Sequence, residues 1–286
     1  MNMRLRRAMS AFLILCLCAG LSACVDKKES SKTGKPEKQV ASDSKDKNKG
    51  KPERGKEDDN KKIEKKMTEE KKRSEDIVKF INFGELPLKD PEKIAALYGT
   101  YENALFIGDS RTEGFRLYSG VSNATFYCAK SLSALKIARG GAVSVNGKEM
   151  TLEQMLGTGK FPKIYISLGL NEMGRPNIDG YIADYTKIIE IIKEKQPEAR
   201  IFIQALIPVS EKRSAQGGVV NNEQIYWYNV NLVKIAEQTG VRYVNPDTAL
   251  VDDTGALKPE ASTDGIHLTA EYCKVWAQYL AQISLC

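Results

Sequence analysis

Five short apolar runs alternate with longer segments of helical period along the second half of this chain. The runs are Leu105–Ile107, Thr125–Cys128, Ile164–Leu168, Arg200–Ile207 and Arg242–Val244. Several are nearly continuous in Ile, Val, Phe and Tyr, without the polar alternation of a strand that faces water, so they predict strands covered on both faces. Between them, Ile178–Lys195 repeats Ile and Tyr at helical spacing and stops before Pro197, and Asn221–Thr239 stops at Gly240. Thr269–Ile283 opens on a Thr suited to cap a helix and sets Tyr272 and Trp276 on one face. Strand-helix alternation of this kind predicts a parallel sheet with right-handed crossovers. Val143–Met150 is broken by Asn146-Gly147, which predicts a small hairpin between the second and third core strands.

Upstream the pattern disappears. Arg4, Arg6 and Arg7 form a basic start, and Ala11–Leu21 is an apolar run too short to span a bilayer as a mature helix. It ends in Leu21-Ser22-Ala23-Cys24, which resembles a bacterial lipobox. Residues 1–23 are therefore expected to be a signal peptide, and Cys24 the lipidated first residue of a chain tethered to an extracytoplasmic membrane face. Residues 24–75 are rich in Lys, Glu, Asp, Ser, Gly and Pro and lack aromatics. Such a segment cannot bury enough apolar area to offset its ordering entropy, and it reads as a disordered linker. The Glu/Lys spacing of Ile63–Lys72 favours helix, but without an apolar stripe it is not expected to pack. About 50 flexible residues reach roughly 40 Å. The folded domain is expected over 76–286.

Charge changes the picture of partners. The chain carries a net +6, but residues 1–23 hold three Arg and no acid, and 25–75 hold 18 basic against 13 acidic side chains. Subtracting these leaves −2 for 76–286, so the basic character belongs to the leader and linker and a nucleic-acid partner loses its support. The linker charge reads as a solvated spacer, with attraction to anionic lipid or wall polymer as the alternative. Of six Cys, only Cys128, Cys273 and Cys286 fall in the folded region, an odd trio that is no disulfide framework; Cys128 lies in a strand pattern and reads as core. One histidine and scattered thiols give no zinc ligand set, and no metal or other cofactor is expected.

Open parallel sheets place their chemistry in loops at the carboxyl ends of strands. Three segments occupy that position: Ser110 after the first strand, Ala129-Lys130-Ser131 after the second, and Gly169-Leu170-Asn171-Glu172 after the third. The single histidine, His267, follows Asp264 by three residues just before the last helix. A serine hydroxyl needs a base within hydrogen-bond reach, and His suits that task near neutral pH. An Asp on the other ring nitrogen fixes the tautomer and stabilises the imidazolium. Ser110, His267 and Asp264 are thus the candidate catalytic residues. The Ser110 backbone N–H and the Asn171 side-chain amide are candidate oxyanion donors. Each residue has an ordinary alternative: a strand-ending turn for Gly108-Asp109-Ser110, a backbone-satisfied helix start for His267, a turn former for Asn171, a helix cap for Asp264. Arg111 is a candidate to steer an anionic or hydroxyl-rich substrate, with a structural salt bridge as the other reading. Tyr226, Trp227 and Tyr228 read as helix packing or as a sugar platform.

Gly108-Asp109-Ser110, Gly169-Leu170-Asn171-Glu172 and Asp264-Gly265-Ile266-His267 resemble, in order and spacing, three marked blocks of the SGNH (GDSL-type) hydrolase superfamily. The resemblance covers nearly all of 100–286. It implies a flavodoxin-like three-layer α/β/α sandwich with a mainly parallel five-stranded sheet, Ser110 as nucleophile, Asn171 as oxyanion donor, and Asp264 and His267 completing a triad. Two positions depart from the pattern. Ser131 stands nearest a Gly whose N–H serves the oxyanion hole in the family, and Glu172 replaces the usual Asp; Glu172 is a further candidate for substrate contact. Neither a Gly-x-Ser-x-Gly elbow nor a phosphate-binding glycine loop is present. The expected activity is a serine esterase acting through an acyl-enzyme on a small acyl ester, such as an O-acetyl group, of an envelope carbohydrate. An O-acyltransferase using the same triad and a non-catalytic envelope-binding lipoprotein are the alternatives.

Overall fold

The computed structural model describes residues 54–81 and 86–285. Five parallel strands form the central sheet: β1 (Leu105–Gly108), β2 (Thr125–Cys128), β5 (Lys163–Ser167), β6 (Arg200–Gln204) and β7 (Arg242–Val244). Their order is β2-β1-β5-β6-β7. The two remaining strands, β3 (Val143–Val145) and β4 (Lys148–Met150), pair antiparallel as the expected hairpin. Its turn residues Asn146 (φ 52°) and Gly147 (φ 80°) both take the left-handed conformation that a tight two-residue hairpin turn requires.

The helices are α1 (Arg54–Ile81), α2 (Pro91–Tyr98), α3 (Ser110–Tyr118), α4 (Ala134–Ala138), α5 (Leu152–Leu156), α6 (Ile178–Lys195), α7 (Glu211–Ala215), α8 (Asn222–Thr239) and α9 (Ala270–Ile283). The alternation of side chains along each strand sorts the core into two layers. On one face Phe126, Phe106, Tyr165 and Phe202 sit at paired positions of β2, β1, β5 and β6 and stack at centroid distances of 5.2, 4.8 and 4.8 Å. Phe115 of α3 and Trp276 of α9 close over this row, edge to face at 4.8 Å. On the other face Ile107, Tyr127, Ile164, Ile166 and Ile203 pack with Ile188 and Ile189 of α6 and Leu232 and Ile235 of α8. Both faces are covered, which is why the strands read as continuous apolar runs. Cys128 and Cys273 are buried free thiols. The architecture is the expected three-layer α/β/α sandwich with a five-stranded parallel sheet.

The linker expectation over 24–75 needs correction in its second half. Residues 24–53, with Cys24 and the leader before it, lie outside the described residues. From Arg54 the chain is the helix α1, and it packs. Ile63 and Met67, four residues apart, share one face and join the core beside α8. Tyr226 donates to Glu64 at 2.7 Å, Lys66 bonds Glu237, and Ser74 is fully buried. The helix lies against β7, whose outer side pairs with no strand among the described residues, as well as against α8 and α9. A charged helix is one way to cover such an edge.

Candidate active site

The nucleophile turn is built by close packing. A Cβ on Gly108 would meet Thr112 Oγ1 at 1.9 Å and the Ser167 carbonyl at 2.9 Å, so only glycine lets β1 end against β5 and α3. Asp109 then caps α3, its carboxylate accepting the Arg111 N–H at 3.0 Å. Ser110 becomes the first residue of the helix, with its N–H among those left without an intrahelical partner. Burial pushes the Asp109 carboxyl up to about 6, against the pull of the Arg111 N–H, the Arg111 guanidinium and His267.

The second half of the site is the loop before α9. Asp264 folds it locally: Oδ1 accepts the N–H of Ile266 (2.8 Å), the N–H of His267 (2.8 Å) and the Ser262 hydroxyl (3.0 Å). Gly265 holds φ 79° where a Cβ would meet Ser210 Oγ at 2.4 Å, so this turn too requires glycine. Thr269, not Asp264, caps α9.

These two pieces meet. His267 Nδ1 lies 2.7 Å from Asp264 Oδ2, and His267 Nε2 lies 2.9 Å from Ser110 Oγ. An ionised carboxylate only accepts, so Nδ1 carries the proton toward Asp264 and Nε2 is free to accept from the serine hydroxyl. Partial burial pulls the Asp264 carboxyl upward, but the hydrogen bonds from the His267 ring, from the His267 and Ile266 N–H groups and from Ser262 outweigh it and hold it well below the usual range. Asp264 is therefore ionised at neutral pH. His267 and Asp264 are about half exposed, so solvent reaches the relay.

The remaining candidates divide. Asn171 Nδ2 donates to the carbonyls of Lys130 (3.1 Å) and Leu132 (2.9 Å). Both its protons already serve the loop between β2 and α4, and donation to an oxyanion requires one of these bonds to exchange. Ser131 lies in that loop, exposed and outside the left-handed region, so a side chain in place of glycine brings no backbone strain there. Its N–H has no hydrogen-bond partner among the described residues.

Arg111 and Glu172 do not face substrate. Arg111 is 4% exposed. Its Nε donates to the Ile266 carbonyl at 2.9 Å, one terminal nitrogen donates to Ile207 and the other to Pro208 at 3.3 Å. Neither substrate steering nor a side-chain ion pair describes it: the guanidinium fork spans three backbone carbonyls, two after β6 and one beside His267. Burial lowers it to about 10, while Asp109 and Asp264 raise it. Glu172 is fully buried and accepts the N–H of Ala134 at the start of α4. Burial pushes its carboxyl up to about 7; the Ala134 N–H pulls it down and Asp109 pushes it further up. Nothing in the local sequence distinguishes a buried arginine or glutamate of this kind from a substrate-facing one. Tyr228 is buried, its hydroxyl donating to the Glu172 carbonyl at 2.8 Å, whereas Tyr226 and Trp227 are partly exposed.

The chain belongs to the GDSL-like lipase/acylhydrolase family, whose model matches residues 106–273 and so spans the serine turn, the Asn171 loop and the Asp264–His267 loop. It is accordingly an ester hydrolase of the SGNH superfamily. Among solved structures it is similar to a proposed platelet activating factor from Streptococcus pneumonia, at 24% identity over 67% of this chain and 91% of that one, with a TM-score of 0.51. It is also similar to a GDSL-like lipase candidate from Parabacteroides merdae ATCC 43184, at 14% identity over 65% and 97%, again with a TM-score of 0.51. At these identities the likeness speaks to the fold. No curated protein matches the chain.

Proposed function

We propose that this protein is a serine esterase that works through an acyl-enzyme, with Ser110 as nucleophile, His267 as general base and then acid, and Asp264 as the group that orients and charges the imidazole. The observation that carries this reading is the unbroken relay from Ser110 Oγ through both ring nitrogens to Asp264 Oδ2, 2.9 and 2.7 Å. In acylation, His267 Nε2 takes the hydroxyl proton as Ser110 Oγ attacks the ester carbonyl. The tetrahedral oxyanion collapses as the same nitrogen returns the proton to the departing alcohol oxygen. Water then repeats the sequence on the acyl-serine. The oxyanion donors are the Ser110 N–H and the free Ser131 N–H, with Asn171 turning one amide proton inward.

For substrate we favour a small acyl ester, such as O-acetyl, on a carbohydrate of the cell envelope. A pocket of about 410 Å³ borders Asp264 and Gly265 without reaching Ser110 or His267, and Lys212, Arg213, Glu211, Asp252 and Thr263 line it together with Leu257 and Pro259. A mainly polar surface flanking the relay favours a hydroxyl-rich alcohol over an alkyl chain. The lipobox-like Leu21–Cys24 supports a lipid-anchored, extracytoplasmic enzyme whose substrate lies within reach of the membrane.

Turnover of p-nitrophenyl acetate and acetate release from O-acetylated envelope polysaccharide test the reading. Both activities are expected in the native chain, and S110A and H267A are expected to lose them. Undiminished hydrolysis by either variant removes the mechanism; ester turnover without acetate release from any polysaccharide removes the substrate.

A further inference from the structure

Two consecutive residues of one loop hold the backbone of another. Asn171 supplies donors to the Lys130 and Leu132 carbonyls, at 3.1 and 2.9 Å. Glu172 supplies the opposite chemistry, its side-chain carboxylate accepting the N–H of Ala134. The segment so held, 129–133, starts beside the nucleophile turn, where the Ala129 N–H donates to the Gly108 carbonyl at 3.3 Å. Holding the Lys130 carbonyl also fixes the plane of the planar peptide that carries the Ser131 N–H. Glu172 is itself held firmly: its N–H donates to the Gly169 carbonyl at 3.2 Å, and its own carbonyl accepts from Arg175 N–H at 3.0 Å and Tyr228 Oη at 2.8 Å.

A carboxyl at this position is costly. Glu172 is fully buried, its Oε2 has no partner among the described residues, and the buried Asp109 carboxyl is a neighbouring like charge. An apolar residue would avoid the desolvation penalty. What it could not do is accept the Ala134 N–H at the end of the loop that flanks the serine.

We propose that Glu172 is a positioning residue for acyl transfer, its side chain acting with Asn171 as a clasp that keeps loop 129–133 and its Ser131 N–H in register beside Ser110. The assignment rests on the serine-esterase reading. Glu172 touches neither substrate nor reacting atoms; it acts through the backbone of the loop. A loop that presents an oxyanion donor matters more to the transition state than to the bound ester, so its loss falls on kcat and spares KM.

Three variants of the full chain test this, with p-nitrophenyl acetate as substrate and a thermal melt to establish folding. E172A removes the acceptor. E172Q keeps a carbonyl oxygen for the Ala134 N–H. A134P removes the donor instead, at a first helical position where proline is tolerated and after Ser133, whose extended φ −135°, ψ 156° accommodates a following proline. E172A and A134P are each expected to lower kcat roughly 10- to 100-fold with KM changed less than about threefold, and E172Q to restore most of the rate. The double variant E172A/A134P is expected to be no slower than the slower single variant, because both cut the same clasp. Where E172A fails to fold, A134P carries the test. Wild-type kcat in both A134P and any folded E172A, a loss confined to KM, or fully additive losses would overturn the assignment. Undiminished turnover in S110A is a different pattern; it removes the serine reading and this assignment with it.

Discussion

Replacing Arg111 by Met separates the two halves of the relay without touching either. Ser110 rides on α3 and His267 on the loop before α9, and the residue next to the nucleophile fastens that loop through the Ile266 carbonyl. R111M keeps much of the side-chain volume but leaves three carbonyls, those of Ile266, Ile207 and Pro208, without their donor. A hydrogen bond from a charged donor contributes about 1.5–3 kcal/mol, and relief of the guanidinium's desolvation offsets part of the sum. It also leaves Asp109 buried without its nearby cation. The net loss of stability is expected at about 2–4 kcal/mol. The kinetic effect is expected to exceed what unfolding explains, because a displacement of about 1 Å at the imidazole costs on the order of 100-fold in rate. R111K keeps the charge but offers a single nitrogen, so it should fall between wild type and R111M. The assay is kcat for p-nitrophenyl acetate at a temperature where a melt shows the variant folded. A folded R111M with wild-type kcat would refute the claim that this arginine sets the Ser110–His267 distance.

Three further outcomes follow from the same geometry. D264N keeps an acceptor for the Ile266 and His267 N–H groups but no longer holds a charge against the imidazole, so kcat should fall on the order of 10³- to 10⁴-fold with the fold intact; a loss under tenfold would refute the role of Asp264. Stability should decline as pH rises from about 4.5 to 7, because burial raises Glu172 to about 7 and Asp109 to about 6; a raised acid is most stabilising while protonated in both states. The Glu172 contribution is on the order of 3 kcal/mol, so Tm measured at pH 5 should exceed Tm at pH 8 and E172Q should flatten the slope; a Tm that rises over this range contradicts the burial argument. Asp264, being lowered, acts in the opposite direction, and its share is lost only in stronger acid. C24A should abolish labelling by a radioactive fatty acid and release the protein from the membrane fraction; persistent labelling would remove Cys24 as the anchor.

The core strands were legible because they are covered on both faces, which leaves continuous runs such as Ile164–Leu168 with no solvent-facing alternation to blur them. The relay was legible for a different reason: with a single histidine there was one base to find, and Asp264 reaches it within one turn. Arg111 and Glu172 were misread because their partners are backbone groups far along the chain, 155 residues away for Ile266 and 38 for Ala134. No local pattern encodes such a contact. The helix from Arg54 was missed because, among its residues whose burial is described, Ile63 and Met67 are the apolar ones that meet the core, amid lysines and glutamates, and its docking site, the open side of β7, exists only once the sheet has formed.

The most direct measurement of the central claim is fluorophosphonate labelling of the intact protein followed by peptide mapping. A hydroxyl activated by an imidazole reacts; an ordinary serine does not. One phosphonyl adduct on Ser110, abolished by H267A, is the predicted result. An adduct on another residue, or none on a folded protein, would contradict it.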